Sequence, residues 1–260
     1  MRTWYTVDSD DFRHLPQYQG HPTRSKKQTL HSNTELSAEF LLGVEGFRSW
    51  MGRHDHAVTL FLISDLLEND KFSSLLEGLL NTFGERLTVG CHGHSHRSWS
   101  AWGEDVEGFS AMLTTSTALL QQSAGPSFRP FFRAPNGYIA PWMAQVLAEH
   151  GYTVDSSVNP SWLVRHKTGG NSWKSVNSAM VQAGMVERPW KTRFGLPVTG
   201  PALFRFPLSL IAKRAWTAAP LPLKQDEVFE VSNHRTDLVT LYCHILDFAK
   251  EGGAWTPPQA

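Results

Sequence analysis

Only two cysteines, Cys91 and Cys243, occur in 260 residues, so a disulfide framework does not hold this chain. Each directly precedes a histidine, and both read as buried free thiols, the usual state of an unpaired cysteine. Neither sign of charge is in excess: 24 Lys and Arg balance 24 Asp and Glu. That balance argues against a broad nucleic-acid or anionic-membrane footprint. No apolar run approaches the roughly 18 residues of a membrane span. Met1 leads into Arg-Thr-Trp-Tyr-Thr-Val, which reads as a strand and not as a charged and then apolar leader. The expectation is therefore a cytoplasmic protein. Internal repeats and low-complexity tracts are also missing, which excludes solenoids and arrays.

What is present is enough apolar residue for a core, 41% of the chain, with ten Trp and twelve His. Short apolar strands alternate with amphipathic segments. Thr3–Val7 reads as a strand ending in an acidic cluster, and residues 13–31 as a polar rim loop. Ser32 or Asn33 is positioned to cap a helix running to about Arg53. Ala57–Ser64 has the continuous apolar character of a strand buried on both faces, and a helix follows to about Phe83. Leu87–Gly90 is a strand, 104–123 a helix, Phe128–Phe132 a strand, 140–150 a helix and Tyr152–Asp155 a strand. Residues 158–200 show no clean period and read as irregular loops with room for a hairpin. Ala202–Ile211 contains strand-like pattern, and Asp237–His244 reads as a final buried strand. This alternation predicts an α/β fold with a parallel sheet or barrel, as a single domain over 1–260.

In such folds chemistry sits on the loops after the C-terminal strand ends. Polar clusters fall at those points: Asp8-Ser-Asp-Asp, His92 to His96, Arg133 to Gly137, Asp155 and His244. His92 and His96 are spaced i, i+4, which in a helix-like turn places both imidazoles on one side and His94 elsewhere. Asp8, Asp10 and Asp11 crowd carboxylates whose repulsion a cation or an arginine relieves. Strand alternation puts Asp8 and Asp10 on one side. One can bind a metal while the other accepts a proton from a water that the metal acidifies. Arg133 can orient such an aspartate through a charge-assisted hydrogen bond. Pro135 and Gly137 shape a tight turn that leaves the Asn136 N–H to face an oxyanion. His244 suits protonation of a departing amine, with Asp155 as the carboxylate that orients it. Taken singly, each has a plainer reading: a loop cap for the aspartates, a structural salt bridge for Arg133, an ordinary turn at 135–137, a packed core histidine for His244. Five clusters at five strand ends favour a site.

These motifs, in this order, resemble those of the polysaccharide deacetylases (the NodB-homology domain, carbohydrate esterase family 4). Thr6-Val7-Asp8-Ser9-Asp10-Asp11 is similar to that family's first motif, with one residue between base and ligand. His92-Gly93-His94-Ser95-His96 matches the second, Arg133, Pro135 and Gly137 the third, Asp155-Ser156-Ser157 part of the fourth, and Leu241-Tyr242-Cys243-His244 the fifth. The resemblance spans Thr3 to about Asp247. It implies a distorted (β/α) barrel, usually of seven strands, holding a divalent metal that is commonly zinc. It implies a metal-dependent hydrolase that removes an N-acetyl group from an amino-sugar-containing saccharide or glycoconjugate. By the match, Asp10, His92 and His96 hold the metal, with Asp11 as a rival to Asp10. Asp8 is the base, His244 the acid, and Arg133 and Asp155 their partners. Asn136, Gly137 and Trp162 would meet the substrate, and Trp162, Trp173 and Trp190 are candidates to stack on sugar rings. Two histidines and one aspartate also suit cobalt, nickel or iron. The partner expected is a saccharide, with no nucleic acid and no membrane span, and the choice between monomer and homo-oligomer is open. Rival readings are a same-fold hydrolase opening a cyclic ureide or imide, a silent sugar-binding barrel, and an amidohydrolase-type site using His92-x-His94, which fits less well because that site needs more His, a bridging Lys or a further Asp and carries its His-x-His on the first strand. Little chain remains after His244 for a closing helix.

Overall fold

Short stretches rich in β-branched and aromatic residues build the sheet. In the computed structural model, which describes residues 1–18 and 35–258, they are β1 (Arg2–Asp8), β2 (Val58–Leu62), β3 (Leu87–Cys91), β4 (Phe128–Phe132), β5 (Val154–Asp155), β6 (Val186–Glu187) and β9 (Leu238–His244). All neighbours pair in parallel, in the order β6-β5-β4-β3-β2-β1-β9. A separate antiparallel hairpin joins β7 (Thr192–Arg193) to β8 (Leu196–Pro197). The seven-stranded sheet curls into a half-barrel. Its two edges meet at one rung, where Trp190, just beyond β6, bridges Thr240 of β9 and the Lys191 N–H donates to the Thr240 carbonyl at 3.0 Å.

Helices cover the outer face: α1 (Ala38–Met51), α2 (Asp70–Phe83), α3 (Val106–Ala124), α4 (Pro141–Glu149), α5 (Trp173–Gln182), α6 (Leu208–Thr217) and α7 (Ile245–Phe248). Strand alternation sends Tyr5, Leu60, Leu62 and Phe132 into the large core under these helices. It sends Trp4, Phe61, Phe131 and Val154 into a smaller core on the concave side. Trp4 sits edge-on to Phe61 and Phe131 there and donates its indole N–H to Thr59 Oγ1 at 2.9 Å, so its polar atom is satisfied. Both cysteines are free and buried, as expected.

The fold expected from the pattern is the fold observed, with local differences, among them β6, a sheet strand within the stretch 158–200 read as loops. The stretch 158–200 holds the hairpin but also α5, whose amphipathic face buries only Val176 and Met180. Strand was expected within Ala202–Ile211, yet 200–203 is a 3-10 turn and α6 starts at Leu208. Phe206 is exposed with no strand beside it, while Ala212, Ala215 and Trp216 give a helical inward face. The helix cap expected at Ser32 or Asn33 lies outside the described residues, as does most of the rim loop. The cap seen for α1 is Ser37, whose Oγ accepts the Phe40 N–H at 3.1 Å. No described helix is long and apolar enough to cross a membrane.

The short α7 follows His244 directly, so its docking fixes that residue. It lies against α1 at Gly43 and Gly46. A Cβ on Gly43 would overlap the Ile245 carbonyl, and one on Gly46 would come within 2.6 Å of the Phe248 carbonyl oxygen. The Gly43→Ala variant should therefore lose about 1–3 kcal/mol, the usual cost of overpacking. Chemical denaturation monitored by Trp fluorescence would show it, and an unchanged midpoint would mean that α7 gives way at no cost.

Candidate active site

Asp8 ends β1, the 92–96 loop follows β3, Arg133 follows β4, Asp155 ends β5 and His244 ends β9. The parallel sheet thus gathers the candidate residues at one rim. Asp8 and Asp10 are 3% and 5% exposed, and His92 and His96 are 2% each.

The two histidines meet, but not on a helical turn. After β3 the chain is irregular, with Gly93 at φ 79° and His96 at φ 61°. The left-handed step at His96 swings its ring back so that the two Nε2 atoms lie 3.2 Å apart. Each ring is oriented from behind: His92 Nδ1–H donates to the Arg133 carbonyl at 2.8 Å and His96 Nδ1–H to the His14 carbonyl at 2.6 Å. Those bonds put the protons on Nδ1 and leave both Nε2 lone pairs facing Asp10, whose Oδ1 is 2.9 Å from His96 Nε2. Asp10 Oδ2 is buried without a hydrogen-bond partner. Three acceptors, all within 4.8 Å of one another, thus converge where one proton at most can sit among them. That donor set fits a divalent cation, and two imidazoles with one carboxylate leave positions open. Burial pushes the His92 imidazole down to about 4, keeping it neutral. Burial would also lower His96, but the Asp10 carboxylate raises it. Burial would raise Asp10, but His96, with help from His92 and His244, holds it well below the usual range. A cation would take the place of the proton this pair shares.

Hydrogen bonding sets Asp11 apart from Asp10. Asp11 caps the turn Phe12–His14, accepting the Phe12 N–H at 2.6 Å, and also accepts the Ser37 N–H at 3.0 Å and the Ser37 hydroxyl at 2.5 Å. Its carboxylate is spent on tying the loop to α1. The intervening Ser9 is structural as well, with its Oγ accepting the Ile63 N–H at 2.9 Å. His94 turns away towards Ser64 Oγ, 2.9 Å from its Nδ1, which removes the His92-x-His94 alternative.

Asp8 is held from below. Arg133 Nη1 donates to Asp8 Oδ1 at 2.6 Å, its Nε to the Ser156 carbonyl at 2.9 Å and its Nη2 to Ser156 Oγ at 2.9 Å. The guanidinium is wholly buried. It lies 4.2 Å from the Phe61 ring centre, 5.1 Å from that of Tyr242 and 5.7 Å from that of Trp190. The turn after it is strained at Asn136, φ 55°, a conformation Asn tolerates better than most. Gly137 is required because its φ is 68° and a Cβ would sit 2.8 Å from the Trp190 ring.

His244 was expected to be oriented by Asp155, and the structure corrects this. The first residues of α7 bring Asp247 back to it: the His244 N–H donates to Asp247 Oδ2 at 2.9 Å and Nδ1–H to the same oxygen at 3.1 Å. Burial lowers His244, but Asp247 more than offsets it and lifts the imidazole to about 9. Asp155 instead shapes the turn beneath Arg133. It accepts the Ser157 hydroxyl at 2.6 Å and the Ser157 N–H at 3.0 Å, and Ser157 Oγ in turn accepts the Ala134 N–H at 2.7 Å.

Asp8, Asp10, His92, His96, Asn136, Gly137 and His244 line one cavity of about 80 Å³. Lys167, Trp190, Pro201 and Tyr242 line it too. Lys167 and Asp247 escaped the sequence reading. Asp247 had a signal, sitting three residues past His244 where a first-turn carboxylate folds back on the chain. Lys167 had none. Trp162 is 59% exposed and packs beside Gly195, away from the cavity lining. Trp190 is a buttress, its indole N–H given to the Ser156 carbonyl at 2.7 Å. Trp173 lies at the start of α5, packed against the outer core.

Residues 46–154 match the family model for polysaccharide deacetylases. That span contains the 92–96 loop and the Arg133 turn, while Asp8, Asp10 and His244 lie outside it. No curated protein sequence matches the chain. Among solved structures, one from Mycobacterium smegmatis, assigned by name to the polysaccharide deacetylases, is similar at 16% identity, with 97% of this chain and 79% of that chain covered and a TM-score of 0.58. A carbohydrate esterase family 4 esterase of Streptococcus mutans shares 12% identity over 98% of this chain and 84% of its own, with a TM-score of 0.43. A structure described as a pseudoenzyme of that family, from Bacillus anthracis, shares 11% over 93% and 69%, with a TM-score of 0.39. Residues 46–154 are thus similar in sequence to the polysaccharide deacetylases, and the chain as a whole shares the curled-sheet fold of the Mycobacterium smegmatis structure.

Proposed function

We propose that the protein is a metal-dependent hydrolase that removes an N-acetyl group from an amino-sugar-containing saccharide. The observation that carries this is the clustering, in one small cavity, of an Arg-held aspartate and a carboxylate-raised histidine, which are partners in the β1–β9 register, beside three candidate cation ligands. When bound, a divalent metal such as zinc supplies a Lewis acid that polarises the amide carbonyl and acidifies a water.

The remaining work falls to the chain. Arg133 fixes the Asp8 carboxylate at the cavity wall, where Asp8 takes the proton from the attacking water. In this reading the backbone N–H of Asn136 meets the carbonyl oxygen as charge develops there. His244, held protonated at neutral pH by Asp247, gives its proton to the departing nitrogen. The chamber of about 80 Å³ has room for a group the size of an acetyl, and at Asp10, Asn136, Pro201 and His244 it adjoins a wider groove of about 570 Å³.

The reading is tested by metal analysis of the purified protein with an acetate-release screen over N-acetylated mono- and oligosaccharides. Zinc or a related divalent ion with acetate release supports it. A cyclic ureide opened in place of any acetylated sugar would overturn it. Asp8→Asn should keep its metal and lose roughly 10²–10⁴-fold in kcat. Turnover at the wild-type rate would remove Asp8 from the role of base.

The pH profile gives a further check. Because Asp247 raises the folded-state pKa of His244, the protonated acid is fully present below the ordinary imidazole value near 6.5 and is lost as pH rises through about 9. The activity should therefore fall on the alkaline side, and Asp247→Asn should move that limb to lower pH in kcat/KM. A limb that stays put would assign it to another group.

A further inference from the structure

We propose that His14 and Asp65 form a clamp that positions the His96 imidazole for its cation. The proposal rests on the metal reading above and concerns residues that no motif contains. His96 is a non-glycine residue at φ 61°, a backbone state costing roughly 1–2 kcal/mol that persists only where its surroundings over-determine it. Behind its ring stands one acceptor, the His14 carbonyl, 2.6 Å from Nδ1.

That carbonyl is itself pinned. The His14 side chain is wholly buried, and both its nitrogens are in use. Nδ1 accepts the Asp11 N–H at 3.0 Å, which places the ring proton on Nε2. Nε2–H then donates to Asp65 Oδ1 at 3.0 Å, with Oδ2 at 3.3 Å. His14 is thereby excluded as a ligand and set as a strut. Asp65 belongs to the 3-10 turn Ser64–Glu68 after β2 and grips the metal loop a second time. Its own N–H donates to the His94 carbonyl at 3.1 Å, beside the Ser64 N–H bond to the Gly93 carbonyl at 3.0 Å. Arg13 Nη2 closes the group from the solvent side, 3.1 Å from Asp65 Oδ1. One residue thus holds both the loop that carries His96 and the carbonyl that aims it.

The test measures zinc affinity by chelator competition, together with the visible absorption of the cobalt-loaded protein and the thermal midpoint of the metal-free form. Asp65→Ala and His14→Ala should bind zinc about 10–100-fold more weakly, the usual effect of losing an outer partner of a ligand, with an altered cobalt spectrum. Asp65→Asn and His14→Gln keep an acceptor and a donor at the same places and should stay within about threefold of wild type. If His14→Ala does not fold, Asp65→Ala decides alone, since Asp65 is partly exposed. Wild-type zinc affinity in the folded alanine variants, with only the thermal midpoint lowered, overturns the clamp. A wild-type protein that binds none of zinc, cobalt, nickel or iron sinks the metal reading itself.

Discussion

A buried guanidinium is the constraint from which the rest of this site follows. Arg133 has no water to solvate it, so every N–H needs an acceptor and the charge needs a counter-charge. Asp8 supplies the charge, Ser156 supplies two acceptors, and three aromatic rings supply their negative faces. Because the demand is satisfied from three strands, the ends of β1, β4 and β5 cannot shift independently. The same residue uses its backbone carbonyl to orient His92. Asp8 and His92 are therefore set relative to each other by one side chain and its own main chain.

Asp8 and His244 are partners in the β1–β9 register, yet different elements support them. On one side, Asp155, Ser156 and Ser157 make a turn whose hydroxyls face Arg133 and Ala134. On the other, α7 carries Asp247 against His244, and the glycines of α1 let that helix come close enough. Two carboxylates end up with contrasting duties because their surroundings differ. Asp155 is buried between Ser157 and the Glu187 carboxyl and shapes backbone, with burial raising its carboxyl. Burial would raise Asp247 too, but His244 and Lys250 hold it low, so it can stabilise an imidazolium.

Much of this was legible in the chain. Parallel strands buried on both faces announce themselves as unbroken apolar runs, so Val58–Leu62 and Leu238–His244 were found nearly to the residue. The polar groups that interrupt those runs at their ends, Asp8, His92, Arg133 and His244, were found for the same reason. What failed was geometry set by tertiary context. The i, i+4 spacing of His92 and His96 suggested a helical turn, whereas two left-handed residues bring the rings together. Asp155 looked like the partner of His244 because sequence order says nothing about which strand end leans towards which. Asp247 does the work from three residues away. The helix α5 is hard to read because few buried apolar residues mark its face, whereas the apolar run that opens α6 at Leu208 reads as strand although Ala212, Ala215 and Trp216 face inward.

The rung between Trp190 and Thr240 joins the first and last strands of the sheet order. Trp190 also packs on Tyr242 at 4.4 Å and limits the side chain allowed at position 137. Closure of the sheet and the shape of the chamber are thus written into one indole. A lineage descending from this chain could lengthen the rim loops to reach new substrates, yet it could not widen the seam between β6 and β9 and keep the same chamber. Change that leaves the chamber intact is confined to the periphery.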